Sequence, residues 1–197
     1  MLTSQFQAVG RDLCARGLVS SHGGNLSVKI GDNLLITHRG CMLGCLEERD
    51  LVETGISKND RATPLASVEL AVHRAIYQKT SASAIVHAHP AHAVALSFAE
   101  REIKPCDLEG SLIMPKVPVL GWDTTIKPGE FGTEIAEALR KYKIVLVRSH
   151  GSFAVGQLLE EAYHYTTTLE QSCRLLYLLK TLKINKRQRS PRSTKRG

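Results

Sequence analysis

The run Ala84-Ile85-Val86-His87-Ala88-His89-Pro90 constrains this chain more than any other segment. Its apolar, partly β-branched start reads as a strand from Ala84 to His89, and Pro90 then opens a short helix through Ala99. Residues two apart on a strand point to the same face, so His87 and His89 stand side by side. Any sheet that contains this strand must accommodate two imidazoles at its end.

Neutral imidazole is the commonest protein ligand for borderline metals such as zinc, and a catalytic zinc usually takes three protein ligands with one position open. His150 closes a second apolar run, Val145-Leu146-Val147-Arg148-Ser149-His150-Gly151, and precedes a glycine able to turn the chain sharply. A hydrogen-bonded histidine pair on a half-buried strand is the plainer alternative. The third strand-terminal histidine favours a metal site built from His87, His89 and His150. Glu69 joins them as a carboxylate able to ligate an ion at rest and to act as a base once substrate displaces it. Taken alone, a glutamate in the first turn of a helix is explained by the macrodipole.

The rest of the chain organises around these residues. Leu2, Phe6, Val9 and Leu13 recur at helical spacing until Gly17, and the turn-rich loop Ser20-Ser21-His22-Gly23-Gly24-Asn25 follows. Leu26 to Ile30 and Leu34 to Thr37, separated by Gly31-Asp32-Asn33, predict a hairpin. Ser67 is the expected N-cap of a helix through Val68, Val72, Ala75 and Ile76 to about Lys79, with Glu69 in its first turn. Residues 103–125, with Pro105, Pro115 and Pro118, read as short edge strands and loops. A helix from Phe131 to Tyr142, strands at Ile144 to Val147 and Ser152 to Val155, and a long helix from Leu158 to about Leu182 complete the pattern. Hairpins mixed with helices predict a single α/β (α+β) domain, residues 1–182, with a mostly antiparallel central sheet flanked by helices.

The formal charge of +7 suggests an anionic partner until it is located. Residues 183–197 carry seven of the 26 basic residues and none of the 19 acidic ones, so the body is formally neutral. That segment predicts a flexible, solvated basic tail. Without interleaved aromatics it makes no case for nucleic-acid binding. Five cysteines form no disulfide framework, no signal peptide precedes the first helix, and no apolar run reaches membrane-spanning length, so a cytoplasmic protein without a membrane partner is expected. Cys41 and Cys45, four apart and without a second pair, read as core or loop residues rather than ligands. His92 is expected to support the site or the fold, and His73, one turn from Glu69, to make a simple i, i+4 contact with it.

Gly24, Asn25, Arg39, Gly40 and Ser67 are the candidate phosphate-binding residues. Glycines let backbone N–H groups approach an anion, and asparagine, serine and arginine add donors.

Taken in order, Gly24-Asn25-Leu26-Ser27, Ile36-Thr37-His38-Arg39-Gly40, Ser67-Val68-Glu69, His87-Ala88-His89-Pro90 and Ser149-His150-Gly151 resemble the class II aldolase/adducin family, in its L-fuculose-1-phosphate aldolase branch. The resemblance implies a zinc-dependent retro-aldol cleavage of a ketose 1-phosphate to dihydroxyacetone phosphate and an aldehyde, with Mn²⁺ or Co²⁺ as possible substitutes. It implies a phosphorylated sugar substrate and a homotetramer with sites at subunit interfaces. Related branches hold pentulose-phosphate 4-epimerases, a methylthioribulose-phosphate dehydratase and metal-free adducin-like interaction proteins. This chain departs from the family pattern in having Val68 for a second serine and Arg39 for a hydroxyl residue. The tyrosine that family members use for proton transfer at the aldehyde fragment is missing from Pro105-Cys106-Asp107-Leu108-Glu109, where Glu109 is the nearest candidate to serve as that acid.

Overall fold

In the computed structural model, residues 2–122 and 131–182 are described. The expected basic tail lies outside them. Helix α1 (Leu2–Ala15) buries Phe6, Val9 and Leu13, and Gly17, at φ +66°, ends it in the left-handed conformation glycine tolerates. Strands β1 (Asn25–Ile30) and β2 (Asn33–Thr37) form the predicted hairpin around Gly31-Asp32, with Ile30 paired to Asn33. A strand the sequence pattern did not announce, β3 (Leu51–Gly55), adds to the outer edge of β2.

Helix α2 (Leu70–Lys79) is capped two residues later than the expected Ser67, and Glu69 is its N-cap residue instead of a first-turn residue. Ser67 still serves the entry, since its Oγ accepts the Glu69 N–H at 3.3 Å. Strand β4 (Ala84–Ala88) and helix α3 (Ala91–Ser97) follow as the proline suggested. The proline-rich stretch contains β5 (Glu102–Ile103), α4 (Leu108–Ile113) and β6 (Val117–Leu120). Helix α4 corrects the expectation of strands and loops alone. It is capped by the Asp107 carboxylate, which accepts the Gly110 N–H at 2.8 Å. Helix α5 (Phe131–Leu139), strands β7 (Ile144–Val147) and β8 (Gly151–Gly156), and the long α6 (Leu159–Thr181) complete the described elements.

The eight strands form one sheet in the order β3-β2-β1-β4-β8-β7-β6-β5, antiparallel except for β6 against β7. Period-two alternation divides the side chains between two cores. Ala84, Val86, Ala88, Ile144, Leu146 and Ala154 face the layer of α1, α3 and α6. Ile85, Val145, Val147, Phe153 and Val155 face α2 and α5. The result is a mixed α/β domain with helices on both faces of a central, mostly antiparallel sheet. No described helix is long and apolar enough to cross a membrane.

Candidate functional site

By the alternation of β4, His87 shares a face with Ile85 and points toward the α2–α5 layer, where it is buried. The strand ends at Ala88, yet the next residue keeps the direction: Nε2 of His89 lies 2.9 Å from Nε2 of His87. His150 arrives from the turn between β7 and β8. The ligating nitrogens of His87, His89 and His150 all lie within 4.8 Å of one another. Glu69, at the mouth of α2, places Oε2 3.1 Å from Nε2 of His87 and Oε1 3.4 Å from Nε2 of His150.

The protonation states follow from the surroundings. The Ser152 carbonyl, 3.0 Å away, can only accept, so Nδ1 of His87 carries the proton and Nε2 presents a bare lone pair. Burial, reinforced by His89 and His150, holds the His87 pKa well below the ordinary histidine value. Burial and His150 lower that of His89 as well. Burial raises the Glu69 pKa above the usual carboxylate range, while the Asn25 hydrogen bond and the His150 ring pull the other way. His87 and His89, kept neutral, and the His150 ring, with nitrogens converging beside a carboxylate, form a donor set that fits a borderline divalent cation.

Phe153 stacks on His87 with ring centroids 4.1 Å apart, and Phe131 stacks on His150 at 6.1 Å. Ser149, before His150, has φ +62°, the only left-handed non-glycine among the described residues. Its N–H is held at 3.0 Å by Oγ of buried Ser97. Gly151 packs so closely on β4 that a Cβ would fall 2.3 Å from the Ala88 carbonyl oxygen and 2.6 Å from the His89 ring.

The candidate phosphate-binding residues are distributed around this cluster. Gly24, at φ +74°, backs onto β4, and Asn25 pairs across the ladder with His87. The Asn25 carboxamide donates to Oε2 of Glu69 at 2.6 Å and accepts from Nε2 of His73 at 2.5 Å. Arg39 and Ser67 line one open cleft of about 520 Å³, which Thr63 and Arg74 also border. Gly40 turns at φ +72° into open space. Glu109 is not brought to the histidines within this chain. It is exposed on α4 and lines a separate cleft with Arg16, His92, His164 and Arg174. Nδ1 of His92 bonds Glu170 at 2.7 Å, away from the trio. All five cysteines are free, and Cys41 and Cys45 stand outside the histidine group.

Sequence reasoning placed His73 in simple contact with Glu69. In the structure the two side chains are joined through Asn25, and Ser27 and Tyr77 extend the chain of bonds behind His73. The spacing 69, 73, 77 on a helix and 25, 27 on a strand was the available signal.

Known proteins share this chain's sequence pattern and fold. A crystal structure of L-fuculose-1-phosphate aldolase from Thermus thermophilus superposes with a TM-score of 0.86 at 40% identity, covering 96% of this chain and 97% of that one. An L-fuculose phosphate aldolase from Methanocaldococcus jannaschii is 31% identical over 88% of this chain and 94% of its own length. A 3-oxo-tetronate 4-phosphate decarboxylase from Pectobacterium atrosepticum is 30% identical over 89% of this chain and 84% of its own. The family model for the class II aldolase and adducin N-terminal domain matches residues 4–177, and the chain belongs to that family.

Proposed function

We propose that this protein is a metal-dependent aldolase that splits a ketose 1-phosphate into dihydroxyacetone phosphate and an aldehyde. The observation that carries the reading is the convergence of His87, His89 and His150 within 4.8 Å, with Glu69 against two of them. The three imidazoles would hold a divalent ion, zinc first, with manganese or cobalt as substitutes. A bound ion supplies Lewis acidity to the substrate's carbonyl and hydroxyl oxygens.

The remaining work falls to this chain's own groups. Glu69, whose pKa is raised by burial, ligates at rest, leaves when substrate enters, and then holds and returns a proton. Gly24, Gly40, Arg39, Ser67 and the second amide hydrogen of Asn25 bind the phosphate, and the Arg39 cation offsets the hydroxyl lost at that position. In a homotetramer, Glu109 of a neighbouring copy would reach the site as the group that takes the hydroxyl proton when that carbon becomes the aldehyde, and that returns it as the acid in the reverse condensation. The domain that does this chemistry is residues 1–182, with 183–197 as a flexible basic tail, in a cytoplasmic setting.

Release of dihydroxyacetone phosphate from fuculose, ribulose and 5-deoxyribulose 1-phosphates, with metal content measured on the same sample, tests this reading. No release from any of the three by metal-loaded protein overturns it. The absent tyrosine favours one second reading, decarboxylation of a phosphorylated 3-oxo sugar acid, because a carboxylate releases carbon dioxide with no proton transfer on the departing fragment, whereas an aldehyde forms only once its hydroxyl has lost a proton. Carbon dioxide evolution from 3-oxo-tetronate 4-phosphate, without fragment release from the ketoses, would establish it.

A further inference from the structure

Behind Glu69 runs a row of four side chains that the proposed chemistry does not use in full. The hydroxyl of Tyr77 lies 2.7 Å from Oγ of Ser27, which lies 2.6 Å from Nδ1 of His73. Nε2 of His73 lies 2.5 Å from Oδ1 of Asn25, whose Nδ2 lies 2.6 Å from Oε2 of Glu69. Asn25, Ser27, His73 and Tyr77 are all buried, so these groups rely on one another rather than on bulk water.

The direction of every bond is determined. A carboxylate accepts, so Asn25 must turn its NH₂ toward Glu69 and its oxygen toward His73. That oxygen also accepts, so Nε2 of His73 carries the ring proton and Nδ1 is bare. Ser27 then spends its only proton on Nδ1 and must accept from Tyr77. All four donors point the same way, toward Oε2 of Glu69. With the opposite ring tautomer, the Asn25 amide would turn over and set oxygen against oxygen at Glu69.

We propose that His73 is a positioning residue that, with Ser27 and Tyr77 behind it, fixes the orientation of the Asn25 amide and thereby anchors Oε2 of Glu69, leaving Oε1 to take and return the proton. Burial supports the assignment by lowering the His73 pKa to about 3, which keeps the ring neutral. The asymmetry of Glu69 is visible in its contacts: Oε2 has Asn25 at 2.6 Å and Nε2 of His87 at 3.1 Å, whereas Oε1 has only the His150 ring at 3.4 Å. The role assigned to Oε1 rests on Glu69 being the base in the proposed function. The tautomer of His73 does not.

Two measurements test the proposal. In metal-free protein at neutral pH, nitrogen-15 spectra of the histidine rings should show His73 as the Nε2–H tautomer; an Nδ1–H tautomer or an imidazolium overturns the relay whatever the enzyme does. In metal-loaded protein, exchange of a carbon-bound proton of dihydroxyacetone phosphate with D₂O reports proton transfer at Glu69 without the aldehyde step. His73→Phe, which cannot donate to Asn25, should lower that exchange rate by about tenfold or more at saturating dihydroxyacetone phosphate, since small misplacements of a reacting group are costly. His73→Gln, whose amide can still donate, should recover most of the rate. Equal rates in wild type and His73→Phe overturn the proposal, and should His73→Phe not fold, a Ser27→Ala variant that retains the full rate and the Nε2–H tautomer overturns it as well. Absence of exchange in the wild type overturns the base role of Glu69 instead, and the spectrum still decides the relay.

Discussion

Lowering the pH should weaken the metal-free fold through His73 in particular. The ring is fully buried, donates to Asn25 and accepts from Ser27, and burial lowers its pKa from the ordinary 6.5 to about 3. Between those values the unfolded chain binds a proton that the folded one refuses, so stability rises with pH across this window and falls as pH is lowered through 6.5. Each pH unit below 6.5 is worth about 1.4 kcal/mol until the folded ring itself protonates. At pH 4.5 the loss attributable to His73 is therefore about 3 kcal/mol, and on this chain length it lowers Tm by roughly 6–12 °C. Glu69 works in the opposite direction, because a raised carboxyl pKa adds stability as pH falls. The contribution of His73 is isolated by comparing wild type with His73→Gln, which keeps a donor for Asn25 and has nothing to titrate. Urea unfolding in chelator at pH 7.5, 6.5, 5.5 and 4.5 should give two lines that run together above pH 6.5 and separate by about 3 kcal/mol at pH 4.5. Parallel lines throughout that range would refute the assignment of a buried, neutral ring.

Further outcomes concern the metal and the backbone around the site. Zinc at about 100 times its Kd should stabilise the wild type by about 2.7 kcal/mol, raising Tm by roughly 5–10 °C, and this gain should vanish in His87→Ala; calorimetry with and without metal checks it. Gly151→Ala forces a methyl group against the Ala88 carbonyl and the His89 ring, so it should cost about 1–3 kcal/mol in denaturant unfolding and also weaken zinc in a chelator competition. Ser97→Ala removes the acceptor of the Ser149 N–H and should cost about 1–3 kcal/mol, whereas Ser149→Gly, relieved of a left-handed backbone at φ +62°, should stabilise by about 1 kcal/mol.

The parts of this fold that were legible in the sequence are those with a long or paired signal. The α1 stripe, the β1–β2 hairpin and the 23-residue α6 each repeat their pattern often enough to be unmistakable. Helix α4 was hidden because it is six residues long, buries only Gly110 and lies between Pro105 and Pro115. Its one local signal is Asp107 three residues before Gly110, an N-cap whose carboxylate meets that N–H. Strand β3 is five residues of weak alternation, and it is fixed by the free edge of β2 rather than by its own composition.

At the site, the histidine trio was legible because β-strand periodicity carries side-chain direction over two residues and a glycine marks the second strand end. The relation of Glu69 to His73 was not, and the reason is where α2 begins. An i, i+4 pair meets when both residues lie on helical backbone. Glu69 is the N-cap, at φ −93° and ψ 13°, one residue before the helix. From that position its carboxylate reaches Nε2 of His87 and of His150, while His73 stays on the helix face that packs on β1. The gap between them is the width of one carboxamide, and β1 supplies it in Asn25, two residues from the Ser27 that orients the same ring. Strand period and helix period therefore meet at His73, and Glu69, at the N-cap rather than in the first turn, reaches it only through Asn25.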